Sequence, residues 1–208
     1  MPRPPTPIVK VCGLTRPEDA ALAVRLGARL VGCTTDSANP RAVTPSEAKE
    51  IFQAAGRSAI RVLCFRGGDA AFIQESAKKA SARHVQLDQV PESIATALEE
   101  QGLTVYRVYR VPVGSNMLPG MIPTPCDKRP ALLRVSDGKE DLTFPWDILG
   151  NEAPTGTFVS GNVRPENVCA LLTHRVYGID ICRGVERAPG IKDEDRMAMF
   201  FDSLNAGY

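Results

Sequence analysis

Chemically able side chains stand at the ends of short apolar runs in this chain. Cys12 lies within the string Lys10-Val11-Cys12-Gly13-Leu14-Thr15. A thiol there is a base only as the thiolate, which requires a polar or electropositive pocket that lowers its pKa. The commonest fate of a free cysteine is burial as a small hydrophobe. Asp180 lies in Gly178-Ile179-Asp180-Ile181. A carboxylate between two apolar residues of a buried strand is costly unless partnered, which favours a functional part. Arg183 precedes Gly184, and a guanidinium in that place suits anion capture. The 6 cysteines form no Cys-x-x-Cys pair, and His84 and His174 are isolated, so no metal site, disulfide framework or organic cofactor is expected.

These groups must be carried by regular elements, and the hydrophobic pattern supplies them. Short β-branched runs alternate with segments of helical spacing, the pattern of repeated βα units around a parallel sheet. The strand candidates are Ile8 to Gly13, Leu30 to Thr34, Ile60 to Phe65, His84 to Leu87, Thr104 to Val111, Ala131 to Val135, Gly156 to Val159 and Tyr177 to Cys182. Eight strands close a TIM (β/α)8 barrel. An open doubly wound sheet ranks lower, because no Gly-x-Gly-x-x-Gly turn follows the first strand. Thr15-Arg16-Pro17-Glu18 and Thr44-Pro45-Ser46-Glu47 both match the capping box. Ala20, Ala21, Val24 and Leu26 then predict the packed side of the first helix, with Gly27 at its end. Five prolines from Pro112 to Pro130, both included, predict a loop in place of the fifth helix.

With 208 residues, 43% hydrophobic and 24% charged, the composition suits one domain with a sizeable core. Residues 1–7, rich in proline, read as a tail and residues 8–208 as the barrel. A net charge of +1 provides no field for nucleic acid or an anionic membrane, which leaves a small molecule as the natural partner. No apolar window reaches the ~20 residues of a membrane span and no signal peptide opens the chain, so a cytoplasmic location is expected. Oligomeric state is not legible in the sequence.

The opening string, together with Gly184-Val185-Glu186-Arg187-Ala188-Pro189-Gly190-Ile191-Lys192-Asp193, resembles the two terminal signatures of the phosphoribosylanthranilate isomerase family of the tryptophan pathway. The likeness runs from Val9 to about Phe200. It implies a barrel enzyme that performs an Amadori rearrangement on an anionic sugar phosphate, in which an acid opens the aminoaldose ring and a base removes the proton beside the imine carbon. By resemblance Cys12 is the base. Arg41, in Asn39-Pro40-Arg41, holds the anthranilate carboxylate, and Asp180 faces the ribose. The turns Ser160-Gly161-Asn162 and Cys182-Arg183-Gly184 lie where the family captures phosphate on backbone donors. Arg183 has two readings, a clamp that compensates for lost donors or an obstruction of the phosphate pocket, and anion binding is favoured.

Several positions depart from the family pattern. Ala131-Leu132-Leu133-Arg134-Val135-Ser136-Asp137 has Arg134 where the family's acid aspartate is expected, and an arginine donates no proton at neutral pH because its pKa exceeds ~12. Arg134 therefore joins the substrate-binding candidates, while Asp137 and Asp88, the latter at the end of the fourth strand, are the candidate replacement acids. The glycine-rich segment before Phe144-Pro145-Trp146-Asp147 is also replaced. Three readings remain open at this point: the isomerase itself, a divergent paralogue acting on another anionic aminosugar or small molecule, and a non-catalytic ligand-binding barrel.

Overall fold

The fold is built on strands whose residues alternate between two apolar surroundings. In the computed structural model, which describes residues 6–115, 129–135, 143–150, 153 and 155–207, these strands are β1 (Ile8–Val11), β2 (Leu30–Thr34), β3 (Ile60–Arg66), β4 (His84–Asp88), β5 (Thr104–Val111), β6 (Ala131–Val135), β7 (Thr157–Val159) and β8 (Gly178–Ile181). Each pairs in parallel with the next, and β8 returns to β1 with Lys10 opposite Asp180, so the sheet closes as a barrel. Val9, Val11, Val31, Leu63, Val85 and Ile179 belong to the large core between barrel and helices. The alternate residues Leu30, Val62, Cys64, Tyr106, Leu132 and Phe158 fill the barrel interior. The period of two along each strand is what turns Lys10 and Cys12 inward while their neighbours pack outward.

The helices are α1 (Pro17–Leu26), α2 (Pro45–Ala54), α3 (Ala70–Lys79), α4 (Glu92–Glu100), α5 (Val168–Leu172) and α6 (Glu194–Ala206). No described helix is long and apolar enough to cross a membrane. The capping box forms at α2, where Thr44 accepts from the Glu47 amide and the Glu47 side chain accepts from the Thr44 amide. At α1 the expectation fails: the N-cap is Arg16, without a side-chain cap. Thr15 instead donates its hydroxyl to Gly190 O at 2.6 Å, in the hairpin of β9 (Glu186–Ala188) and β10 (Ile191–Lys192). The packed side of α1 holds Ala20, Val24 and Leu26 as read, the last two partly buried against the core, while Ala21 gives way to Leu22 and Ala23. Asp19 is buried with them, where it receives Arg16 and the Lys192 amide.

Between β5 and β6 the described ends of the proline-rich stretch, residues 112–115 and 129–130, are not helical, and residues 116–128 lie outside the described residues. Between β6 and β7 the chain makes a short 3-10 turn, Trp146–Leu149.

Candidate active site

The carboxyl ends of the strands surround a cavity of about 560 Å³. Cys12, Arg41, Asp88, Arg134, Gly161, Asn162, Asp180, Arg183 and Gly184 all line it, so one concavity gathers every described candidate from the sequence. Asp137 lies outside the described residues. This end of a parallel barrel is where its loops assemble reacting groups.

At the floor of the cavity Asp180 stands in an ion pair whose cation, Lys10, the sequence did not single out. Lys10, with 0% exposure, donates to Asp180 Oδ1 at 2.8 Å and to Gln86 Oε1 at 2.9 Å. Burial pulls the ammonium down, but Asp180, Cys12 and Cys64 outweigh it and hold Lys10 well above the usual lysine value. Cys12 lies one pleat above Lys10, its Sγ 3.8 Å from Cys64 Sγ. The hydrogen bond from Cys64, helped by Lys10 against the cost of burial, holds Cys12 well below the usual thiol range. That bond and burial push Cys64 the other way. Cys12 is therefore the thiolate partner and Cys64 the donor. Asp180 is pushed up to about 6, chiefly by burial and further by the charge of Cys12, with Lys10 opposing.

Gly32 leaves space for this cluster. A Cβ on it would stand 2.9 Å from Cys12 Sγ and 3.2 Å from Lys10 Nζ, so any side chain there displaces both groups.

Around the mouth, charged groups pair across strands. Asp88 of β4 accepts from Arg110 Nε at 2.9 Å and Nη2 at 2.6 Å, and from Arg134 Nη1 at 3.4 Å. Arg110 and Arg134 stand opposite each other in the β5–β6 register, which places two guanidiniums over one carboxylate. Arg41 is engaged by Glu186, with Nε–Oε1 at 2.9 Å and Nη2–Oε2 at 2.6 Å, and Lys192 Nζ meets the same glutamate at 2.8 Å. Arg41 therefore reaches the cavity already oriented by a buried partner. The glutamate needs both cations because it is itself almost fully buried.

The two glycine turns nest against each other. A Cβ on Gly184 would stand 1.9 Å from Val163 O, so only glycine permits this approach. Asn167 fixes the neighbouring turn by accepting from the Arg164 amide at 2.7 Å and donating to Asn162 O at 2.9 Å. Arg183 lines the cavity beside both turns, and its guanidinium has no hydrogen-bond or ion-pair partner among the described residues. No group of three or more His, Cys, Asp or Glu among those residues is arranged to hold a metal ion.

Comparison with known proteins agrees with this geometry. A family model described as N-(5'phosphoribosyl)anthranilate (PRA) isomerase matches residues 9–203. The chain belongs to the PRA isomerase family. Among curated relatives, the N-(5'-phosphoribosyl)anthranilate isomerase of Paracoccus denitrificans (strain Pd 1222) is 32% identical over 95% of this chain and 97% of that protein. That of Rhodopseudomonas palustris (strain BisB5) is 31% identical over 96% of each. The crystal structure of the Thermus thermophilus enzyme superimposes with a TM-score of 0.83 at 27% identity, covering 96% of this chain and 98% of that one. A PRA isomerase crystallised with reduced 1-(o-carboxyphenylamino)-1-deoxyribulose 5-phosphate gives 0.75 at 26% identity, covering 96% and 99%.

Within the PRA isomerase family frame, the sequence located Cys12, Asp180 and the glycine turns but missed Lys10, Cys64, Gln86 and Arg110. A signal existed for two of them. Lys10 shares the inward parity of Cys12 on β1, and Arg110 that of Tyr106 on β5, so a charged residue at either place points into the barrel. Nothing in a single strand reports that Cys64 of β3 meets Cys12 of β1.

Proposed function

We propose that this chain catalyses the PRA isomerase reaction of tryptophan biosynthesis, the Amadori rearrangement of N-(5'-phosphoribosyl)anthranilate to 1-(o-carboxyphenylamino)-1-deoxyribulose 5-phosphate. One observation carries the reading: Cys12, held as a thiolate by Cys64 and Lys10, lies at the floor of a cavity ringed by arginines and glycine turns. A thiolate so placed removes the proton next to the imine carbon. Gly161, Asn162 and Gly184 offer backbone donors to the phosphate, and Arg183 adds a charge-assisted clamp beside them. Arg41, oriented by Glu186, takes the anthranilate carboxylate at the opposite rim. Chemistry that depends on reduced thiols fits a cytoplasmic setting.

The test is direct. Purified protein is expected to consume N-(5'-phosphoribosyl)anthranilate and to restore growth of a tryptophan auxotroph lacking this isomerase, and failure in both sinks the reading. A second reading, an isomerase for another anionic aminosugar, draws on the Arg110–Asp88–Arg134 group, which places cations where the family likeness expects an acid. It predicts turnover that depends on Cys12 but with a different aminosugar phosphate.

A further inference from the structure

Resting on the isomerase reading above, we infer that Asp180 is the general acid of this enzyme, donating the proton that opens the aminosugar ring. The place expected for the acid holds Arg134, whose guanidinium keeps its protons at any working pH. Among the described residues the carboxyls lining the cavity are Asp36, Asp88 and Asp180. Asp36 lies beyond β2 on the rim, where Oδ1 accepts from the Ala38 amide at 3.1 Å. Asp88 has both oxygens engaged by guanidinium donors, so a substrate would compete with two cations for either oxygen.

Asp180 differs from both. Lys10 engages its Oδ1 alone, and no donor among the described residues takes Oδ2. It sits on β8, directly across the seam from Lys10 and one pleat below Cys12. Acid and base therefore flank one ammonium. A single positive charge best balances a single negative one, so with Cys12 as a thiolate beside Lys10 a proton is favoured on Asp180, and the two groups share one ammonium. The upward displacement of the Asp180 carboxyl to about 6, from burial first and the Cys12 charge next, points the same way.

The proton balance closes. Asp180 gives its proton to the ring oxygen as the bond from that oxygen to C1 breaks and the nitrogen lone pair forms the iminium. Cys12 then removes the C2 proton, and the released electron pair forms the C1–C2 double bond of a neutral enolamine. The enol hydroxyl returns a proton to Asp180 while Cys12 delivers its proton to C1, which leaves the aminoketose and restores both groups.

The experiment compares wild type, Asp180→Asn and Asp180→Glu with N-(5'-phosphoribosyl)anthranilate as substrate. Asp180→Asn is expected to lower kcat by about a hundredfold or more, the lower range of general-acid effects, while binding the reduced product analogue within about threefold. Its residual activity should lack the alkaline fall of kcat/KM that the inference predicts for wild type. Asp180→Glu keeps a carboxyl beside Lys10, which guards against loss of folding in the amide variant, and should recover part of kcat with that fall displaced in pH. An active wild type whose Asp180→Asn retains kcat within about fivefold, or whose Asp180→Glu profile superimposes on wild type, overturns the inference alone. A wild type without turnover overturns the isomerase reading and this inference together.

Discussion

The thiolate of Cys12 owes its charge to neighbours that belong to other strands, and each neighbour has a separable effect. Cys64 supplies a hydrogen bond across the barrel, at a sulfur–sulfur distance of 3.8 Å. Cys64→Ala removes the donor and leaves Lys10 in place, so the Cys12 thiol should titrate at higher pH. Alkylation of Cys12 by iodoacetamide, followed against pH, is expected to show its midpoint moved upward, with the acid limb of kcat/KM moving in step. An unmoved midpoint would show that Lys10 alone sets the charge. At this scale the sequence was partly legible. Cys12 and Asp180 stood out because a reactive side chain in an apolar run needs a reason. Arg41 was also found, but its engagement with Glu186 is a contact across 145 positions, which no local pattern reports.

The helices show how one motif can have two outcomes. Thr15 and Thr44 both precede Arg-Pro or Pro with glutamate in reach, yet only Thr44 caps its helix. The difference is tertiary: Thr15 finds the Gly190 carbonyl of the β9–β10 hairpin, and a formed hydrogen bond there outcompetes the cap. Thr44→Ala should therefore lower unfolding free energy by about 1 kcal/mol, measured by urea denaturation, with kcat unchanged because α2 carries no proton-transfer group. All eight strands were legible within a residue or two, since β-branched runs and period-two alternation depend on local sequence. The buried side of α1 was legible only in part: Ala20, Val24 and Leu26 pack on the core, but no local pattern reports Asp19, which meets the Lys192 amide from far along the chain.

For the molecule as a whole, the Lys10–Asp180 pair spans the seam where β8 meets β1, so it ties barrel closure to charge. Removing one member of a buried pair costs about 3–5 kcal/mol, which is the loss expected for Lys10→Met in urea. The pH dependence has a definite sign. The folded Asp180 carboxyl is raised from 3.8 to about 6, so its contribution to stability is full below about pH 4 and is withdrawn as pH rises through about 6. In Lys10→Met the opposing cation is gone and the withdrawal should shift to higher pH. The same seam governs when function can begin. Cys12 arrives with the first strand and Asp180 with the last, so with the roles proposed above a polypeptide emerging from the ribosome would have no reaction centre until its final βα unit has been made and docked. Partly synthesised chains, whatever secondary structure they have gained, would then be catalytically silent.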